Sequence, residues 1–289
     1  MKKIFYLMAA FAALSLVSCN KAEFENVSSK FSEMTFSVAG EGLNLSVTKG
    51  LTKAEAVTEL SSVYWGATAG TLGSDTEEYA PVSLSVSDGN VSTGNYWPAE
   101  SIAYNYYVSN VAYFWDASNH KATIAASNET DIVAGTAAAS YKSSPKVTLE
   151  HIFARTGSLT LEPKEGYTLV GSAVWKIKSN TDAGVSGTYD IGAKAWSDVA
   201  ALSQQEFTSS SDLYLVPGSY NVEITYTLKK DAFEQQYTKS ANVTLGGGVV
   251  NNIKATAHTG SDVPSEITLS IEVKPWGENN ITITEGELN

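Results

Sequence analysis

The chain has 289 residues, of which 43% are hydrophobic and 10% aromatic, enough apolar side chains to fill packed cores. This composition excludes an intrinsically disordered protein. Acidic residues outnumber basic ones by 31 to 19, which gives a net charge of −12. Because such a surface repels polyanions, nucleic acids and anionic membrane surfaces are excluded as partners.

The N-terminus has the pattern of a secretory signal peptide. Lys2 and Lys3 supply the positive charge, and an apolar run from Ile4 to Val17 follows them. That run is shorter than the roughly 20 apolar residues of a membrane-spanning helix. We therefore expect residues 1–18 to form a signal peptide that directs export.

The only cysteine of the chain, Cys19, ends the sequence Leu16-Val17-Ser18-Cys19, which looks like a bacterial lipobox. We expect its thiol to be acylated after cleavage, which explains an unpaired cysteine in an exported protein and anchors the chain to a membrane. The alternative is an ordinary cleavage site that includes a cysteine by chance. Residues 19–33 are rich in polar side chains and are interpreted as a lipidated tether.

Apolar and polar residues alternate along most of the remaining chain, which indicates β-strands with one buried face. The clearest run is Tyr220, Val222, Ile224, Tyr226 and Leu228, separated by polar residues. Similar alternation occurs in Met34–Val38, Val82–Val86, Tyr104–Val108, Ala173–Ile177, Ala241–Leu245 and Ile267–Val273. Many short strands separated by turn residues predict an all-β fold of packed sandwiches.

Turn signals lead to three further expectations. Pro217-Gly218 lies between Leu213–Val216 and the run that begins at Tyr220, so a hairpin is expected there. Gly246-Gly247-Gly248 follows another strand and is also interpreted as a hairpin connection. A Ser-Ser-Pro sequence at 143–145 marks the expected boundary between an N-terminal domain (34–145) and a C-terminal domain (146–289).

Several segments resemble the fimbrillin-type pilins of Bacteroidetes. Besides the lipobox, they are Tyr96-Trp97-Pro98, Asp131–Ala134, Val147–Arg155, Tyr214–Pro217, Gly247–Ala255 and Ile271–Trp276. In this order they cover nearly the whole chain. The resemblance implies two transthyretin-like β-sandwich domains and a lipoprotein precursor carried to the cell outer membrane. It also implies a structural or adhesive subunit of a surface fimbria.

The same resemblance implies assembly with other fimbrial subunits by strand exchange. In the family, a trypsin-like protease removes an N-terminal segment with the first strand, and a strand from another subunit fills the vacated groove. Here the first strand would be Met34–Val38, and Lys49 and Lys53 are the candidate processing residues. The usual family pattern has arginine at this place, so an arginine-specific protease would leave this chain uncut.

The candidate donor strand presents Ile267, Leu269, Ile271 and Val273 on one face. Alternating side chains that fill pockets of a groove, with main-chain hydrogen bonds along its edge, are the basis of β-strand addition. The same alternation also fits the last strand of the C-terminal domain, because any half-buried strand shows it.

No motif for catalysis, nucleotide binding or a cofactor is present, so we expect a protein that is not an enzyme and needs no cofactor. Three histidines, His120, His151 and His258, lack the spacing of metal ligands, so no metal site is expected. By alternation, His151 and Arg155 would share a buried face unless a bulge shifts the register. We interpret them as structural residues.

Six tryptophans support an alternative function, that of a monomeric outer-membrane lipoprotein that binds glycans, for example at a host surface. They are Trp65, Trp97, Trp115, Trp175, Trp196 and Trp276. Trp65 and Trp175 lie in alternating runs and are expected in the core. Trp97 and Trp115 flank turns, and they are the candidates for stacking on sugar rings.

Overall fold

The computed structural model describes residues 32–40, 60–69, 78–98, 102–116, 119, 121–258, 266–275 and 283–284. In chain order its strands are β1 (Glu33–Gly40), β2 (Ser62–Ala69), β3 (Tyr79–Ser85), β4 (Asn90–Tyr96), β5 (Tyr104–Ser109), β6 (Phe114–Asp116), β7 (Lys121–Ser127), β8 (Val133–Ala139), β9 (Lys146–His151), β10 (Ala154–Glu162), β11 (Thr168–Ser179), β12 (Ser186–Asp190), β13 (Ala195–Ala200), β14 (Gln205–Phe207), β15 (Tyr214–Leu215), β16 (Gly218–Lys230), β17 (Phe233–Leu245), β18 (Val249–His258), β19 (Glu266–Pro275) and β20 (Ile283–Thr284). The expected all-β fold is confirmed. In the part of the chain that is described, no helix is long and apolar enough to cross a membrane.

A seven-stranded sheet carries the first part of the fold, in the order β3-β2-β5-β8-β9-β1-β4. All its neighbouring strands are antiparallel except β1 and β9, which are parallel. The sheet folds over on itself, since Phe36 on β1 contacts the rings of Trp65 on β2 and Tyr106 on β5, although neither strand pairs with β1. Its inner face therefore encloses a core of its own.

The two end strands of this sheet, β3 and β4, are joined by a tight turn at Asp88-Gly89. Both turn residues have positive φ, 48° and 76°, and Ser87 and Asn90 exchange two backbone hydrogen bonds across them. This is the geometry of the two-residue hairpin turn that the sequence Asp-Gly favours. Beyond Ser87–Asn90 the two strands separate and each follows a different side of the folded sheet.

Two further sheets enclose a second core in the later part of the chain. One has the order β15-β10-β18-β19-β20, in which β10 and β18 are parallel, and the other is the antiparallel sheet β14-β11-β16-β17. β16 has the predicted alternation, with Tyr220, Val222, Ile224, Tyr226 and Leu228 all buried. These side chains pack against residues from the other sheet in a single apolar cluster.

The expected hairpin at Pro217-Gly218 is wrong. β15 pairs with β10 in the five-stranded sheet, whereas β16 lies in the four-stranded sheet, so the chain crosses between sheets at this point. The Tyr220 hydroxyl fixes the crossing, because it lies 2.6 Å from the carbonyl oxygen of Val216 and 3.0 Å from that of Gly184 and donates to them.

The glycine run is also not a hairpin. Gly246-Gly247-Gly248 carries the chain from β17 in the four-stranded sheet to β18 in the five-stranded sheet. Gly248 has φ +69°, a conformation that favours glycine, and its amide donates to the carbonyl oxygen of Phe153, 2.8 Å away.

Strands from both halves of the chain meet in a fourth sheet, which has the order β13-β12-β7-β6. β12 pairs with β7 from Ser186↔Ser127 to Asp190↔Thr123. β9 begins just after the expected domain boundary at residue 145, yet it pairs with β8 and β1 of the seven-stranded sheet. The N-terminal sheet therefore extends to His151, and the two halves share a sheet instead of closing independently.

Candidate functional site

The strand β1 is held between two neighbours in the seven-stranded sheet. On one side it runs parallel to β9, with Ser37 opposite Lys146 and Gly40 opposite Leu149. On the other side it is antiparallel to β4, with Ser37 opposite Asn90. β1 thus occupies a slot between two strands that do not pair with each other.

One face of β1 is buried in the core. Met34, Phe36 and Val38 are no more than 3% exposed, whereas the residues between them are half-exposed. The Phe36 ring lies 6.3 Å from the Trp65 ring and 5.8 Å from the Tyr106 ring, between ring centroids. The alternation predicted for the first strand from the sequence is confirmed.

Hydrogen bonds fix the register of β1. The Thr93 hydroxyl donates to the carbonyl oxygen of Met34, 2.8 Å away, and the Ser37 amide donates to the carbonyl oxygen of Pro145 at 3.0 Å. At the N-terminal end of β1, the Glu33 carboxylate accepts hydrogen bonds from the Ser92 hydroxyl and the Gly94 amide. The strand is therefore bonded along both edges.

A cleft of about 690 Å³ lies beside β1, where β3 and β4 separate beyond the Asp88-Gly89 turn. Phe36, Leu84 and Val91 line it together with serine and threonine side chains. Loss of β1 would join this cleft to the space now filled by Met34, Phe36 and Val38. The result would be an apolar groove with free main-chain groups on β9 and β4, which is the arrangement that binds an added strand.

Five of the sequence-predicted residues bear on this site. Cys19, Lys49 and Lys53 lie outside the described residues. Leu269 and Ile271 on β19 are 1% and 7% exposed, and they pack in the core of the later part of the chain.

The candidate donor strand β19 pairs within the chain's own sheet. It is antiparallel to β18 along its whole length, from His258↔Glu266 to Val249↔Pro275. The short strand β20 pairs with its other edge. Ile267 and Val273 occupy the same alternating register of β19 as Leu269 and Ile271.

Trp97, one candidate for glycan stacking, is a core residue, and that prediction is wrong. Its side chain is 3% exposed, and its ring lies 5.8 Å from the rings of both Tyr104 and Tyr141. Neither face of the indole is open to a sugar. The turn that follows at Pro98 suggested exposure, but the ring lies in the core of the seven-stranded sheet.

Trp115, the second candidate, is half-buried on β6, an edge strand of the fourth sheet. Its Nε1 donates to Glu78 Oε2, 3.1 Å away, and its ring contacts the Tyr107 ring at 5.6 Å between centroids. The indole is thus held from two sides by protein groups, which leaves it a small open surface.

His151 and Arg155 do not share a buried face. β9 ends at His151 and β10 begins at Ala154, so the break at Ile152-Phe153 resets the alternation. His151 is buried, with its Nδ1 2.9 Å from Oδ1 of the buried Asp131. Arg155 is partly exposed and bonds the Asp212 carboxylate through Nε and Nη2 at 3.1 and 2.8 Å.

A second cleft, of about 500 Å³, was not foreseen from the sequence. It lies at the end of β9, beside the hairpin of β12 and β13 and the two sheet-crossing turns. Glu150 and Lys194 on its rim form an ion pair, with Nζ 2.7 Å from Oε2, and Trp196 lines its wall. Glu150 lies at least 44 positions from Lys194 and Trp196, so no local motif could have indicated the cleft.

Solved structures from Bacteroidales match this fold across most of the chain. A candidate cell adhesion protein from Parabacteroides distasonis ATCC 8503 aligns over 85% of this chain and 97% of its own, with 10% identity and a TM-score of 0.51. One from Bacteroides uniformis ATCC 8492 aligns over 84% and 98%, with 10% identity and a TM-score of 0.49. A fimbrilin from Porphyromonas gingivalis W83 aligns over 84% and 97%, with 11% identity and a TM-score of 0.39.

No protein-family model matches the chain, and no curated protein matches its sequence at a significant level. At 10% identity and a TM-score of 0.51, the likeness to the Parabacteroides distasonis structure is one of fold.

Proposed function

We propose that this chain is a structural or adhesive subunit of a cell-surface fimbria, made as a lipoprotein precursor and assembled by strand exchange. A signal peptide and an acylated Cys19 would bring the precursor to the outer membrane. Two transthyretin-like β-sandwich domains would follow, with the shared sheet between them. The fold likeness to a candidate cell adhesion protein agrees with an adhesive or structural role, and the proposal includes no catalytic step.

The position of β1 carries the proposal. It lies near the N-terminal end of the described chain, fills a slot between β9 and β4, and places three side chains in the core. Each such side chain stabilises the fold by about 1.5–3 kcal/mol when buried. Lys49 and Lys53 follow β1 in the sequence, so cleavage after either would separate this strand from the rest of the chain.

A groove without β1 would need a replacement strand. Burial of the apolar core surface and bonding of the free edges of β9 and β4 favour a strand with apolar residues at alternate positions. β19 has this pattern at Ile267, Leu269, Ile271 and Val273. To act as donor it would leave β18 of its own subunit and enter the groove of the next subunit.

The first test is the N-terminus of the protein recovered from cell surfaces, determined by mass spectrometry. A chain that begins at Gly50 or Ala54 supports cleavage after Lys49 or Lys53 and loss of β1. A chain that still begins at acylated Cys19 keeps its groove filled, which points to an anchor subunit or to a monomeric lipoprotein that binds glycans. Lys49→Gln/Lys53→Gln, a double variant without the cleavage residues, is expected to stay at Cys19 and form no polymers.

The second test separates donor function from folding. Leu269 and Ile271 are also core residues, so their substitution in the chain would disturb the monomer. A synthetic peptide with the sequence of β19 avoids this difficulty, because it can be added to cleaved protein. We expect it to bind protein that has lost β1 and not the uncut chain, and to block polymer growth. A matched peptide with Leu269→Asp and Ile271→Asp should not bind; equal binding of the two would rule out β19 as the donor.

A further inference from the structure

The cleft at the end of β9 combines an aromatic wall with a polar rim. Tyr189 and Trp196 come from the hairpin of β12 and β13, and their ring centroids are 5.2 Å apart. Glu150 and Lys194 lie at the mouth, with 56% and 53% of their side chains exposed. His151 also lines the cleft. At about 500 Å³, the cleft lies within the range of small-molecule sites.

The Trp196 ring is held rigidly. Phe153 packs against it at 5.1 Å between centroids, and Tyr189 packs against it at 5.2 Å. Gly187 lets the ring lie close to the β12 backbone, because a Cβ there would be 3.3 Å from Trp196 Cε3. A half-buried indole fixed in this way loses little conformational entropy when a ligand packs on the part of the ring that lines the cleft.

The rim supplies donors and an acceptor without a net charge. The Lys194 ammonium and the Glu150 carboxylate neutralise each other, and each keeps free hydrogen-bonding positions beyond their 2.7 Å contact. Burial, with smaller contributions from the Glu150 and Asp190 charges, raises the pKa of Tyr189 to about 12. Its hydroxyl is therefore protonated and uncharged at neutral pH.

We propose that this cleft binds a neutral sugar residue, whose apolar ring face packs on Trp196 while its hydroxyl groups bond to Glu150 and Lys194. A pyranose ring has the required combination of a flat C–H face and several hydroxyl groups. A purely apolar ligand would leave the remaining hydrogen-bonding positions of Glu150 and Lys194 unused. An anionic ligand would meet a chain of net charge −12.

The site does not depend on strand exchange. Two lining residues, Thr148 and Leu149, pair with the end of β1, but Glu150, Lys194 and Trp196, which would bind the sugar, lie outside that pairing. Sugar binding can be measured on the uncut chain, in which β1 stays in place. The sugar test and the β1 tests can therefore fail independently.

The experiment uses the full-length protein and saturation-transfer difference NMR with lactose, cellobiose and N,N′-diacetylchitobiose, which detects weak binding. We expect transfer to at least one of these disaccharides. Lys194→Ala changes an exposed rim residue and should fold normally, and it should weaken binding about tenfold, the equivalent of roughly one lost hydrogen bond to a charged group. Trp196→Ala should abolish transfer, with near-ultraviolet circular dichroism as the check on folding.

The control is Phe114→Ala, which removes an exposed aromatic side chain outside the cleft and should leave binding unchanged. Absence of transfer to all three disaccharides would overturn the proposal, and so would binding that survives both Trp196→Ala and Lys194→Ala. A loss with Phe114→Ala as large as with Trp196→Ala would do the same. Selective displacement of the sugar by the β19 peptide would also overturn it, since the cleft would then be a strand site.

Discussion

Phe36 on β1 stacks on Trp65 on β2, with ring centroids 6.3 Å apart and ring planes 20° from parallel. The two strands do not pair, so this contact spans the core between opposite parts of the folded sheet. Both side chains are at most 1% exposed. The contact therefore ties the strand proposed to be removed to the part of the sheet that would remain.

The first prediction concerns this contact. Phe36→Ala should lower the free energy of unfolding by about 3–5 kcal/mol, because it removes a buried ring and leaves a cavity. Urea denaturation followed by tryptophan fluorescence measures the change. Ser37→Ala, on the opposite and half-exposed face of β1, is the control and should change stability by less than about 0.5 kcal/mol. Similar effects of the two variants would show that β1 does not pack as described.

The second prediction compares the two tryptophans proposed from the sequence to stack on glycans. Trp97→Ala should cost about 3–5 kcal/mol of stability, because the ring is buried between Tyr104 and Tyr141. Trp115→Ala should cost about 1–2 kcal/mol, since it removes one hydrogen bond to Glu78 and a half-buried ring. Thermal unfolding of the two variants side by side tests the order. Equal midpoints would contradict the difference in burial.

Period-two alternation was a sufficient guide to strands such as β1, β5 and β16, because each has one face on a core and one towards solvent. Alternation does not specify which sheet a strand joins. Pro217-Gly218 has the composition of a hairpin turn, yet the chain changes sheets there, and the deciding contact is made by Tyr220 to Gly184, 36 residues away. The expected hairpin is wrong because that long-range contact has no local signature in the sequence.

The candidate sites were predictable to different degrees, because local patterns are visible in the sequence and long-range contacts are not. β1 is a local pattern and could be found from residues 34–38 alone. The burial of Trp97 depends on Tyr104 and Tyr141, and the cleft depends on Glu150 meeting the β12–β13 hairpin. Neither relationship has a signature in sequence spacing. The sequence around the expected boundary at residue 145 likewise has no feature that indicates that β9 continues the N-terminal sheet.

The third prediction concerns the buried pair of His151 and Asp131. Asp131→Ala should lower stability by about 1–3 kcal/mol, because it removes a hydrogen-bond partner from a buried imidazole. His151→Ala should have a similar cost. The double variant should cost less than the sum of the two, since each single variant already breaks the shared contact. Strict additivity in this double-mutant cycle would mean that the 2.9 Å contact contributes nothing.

The fourth prediction contrasts two buried tyrosines on β16 at neutral pH. Tyr220→Phe should cost about 1–3 kcal/mol, because the carbonyl oxygens of Gly184 and Val216 lose their donor. Tyr226→Phe should be close to neutral, since within the described residues the Tyr226 hydroxyl has no hydrogen-bond partner. Chemical denaturation at pH 7 measures both. A larger cost for Tyr226→Phe than for Tyr220→Phe would show that the Tyr226 hydroxyl has a hydrogen-bond partner.

The fifth prediction is a fall in stability above pH 10. Burial, with a smaller contribution from Tyr237, raises the pKa of Tyr226 to about 12, from the ordinary value near 10 in an unfolded chain. Below pH 10 both states hold this proton and the free energy of unfolding does not depend on it. Between pH 10 and 12 the unfolded chain releases the proton while the folded chain keeps it, so stability falls by about 1.4 kcal/mol per pH unit for each such tyrosine. Burial also raises the pKa values of Tyr106, Tyr214 and Tyr220, which steepens the decline.

Urea denaturation at pH 8, 9, 10 and 11 gives the slope of stability against pH, and Tyr226→Phe should make this slope shallower by the contribution of one proton. An unchanged slope in that variant would mean that Tyr226 ionises equally well in the folded and unfolded chain.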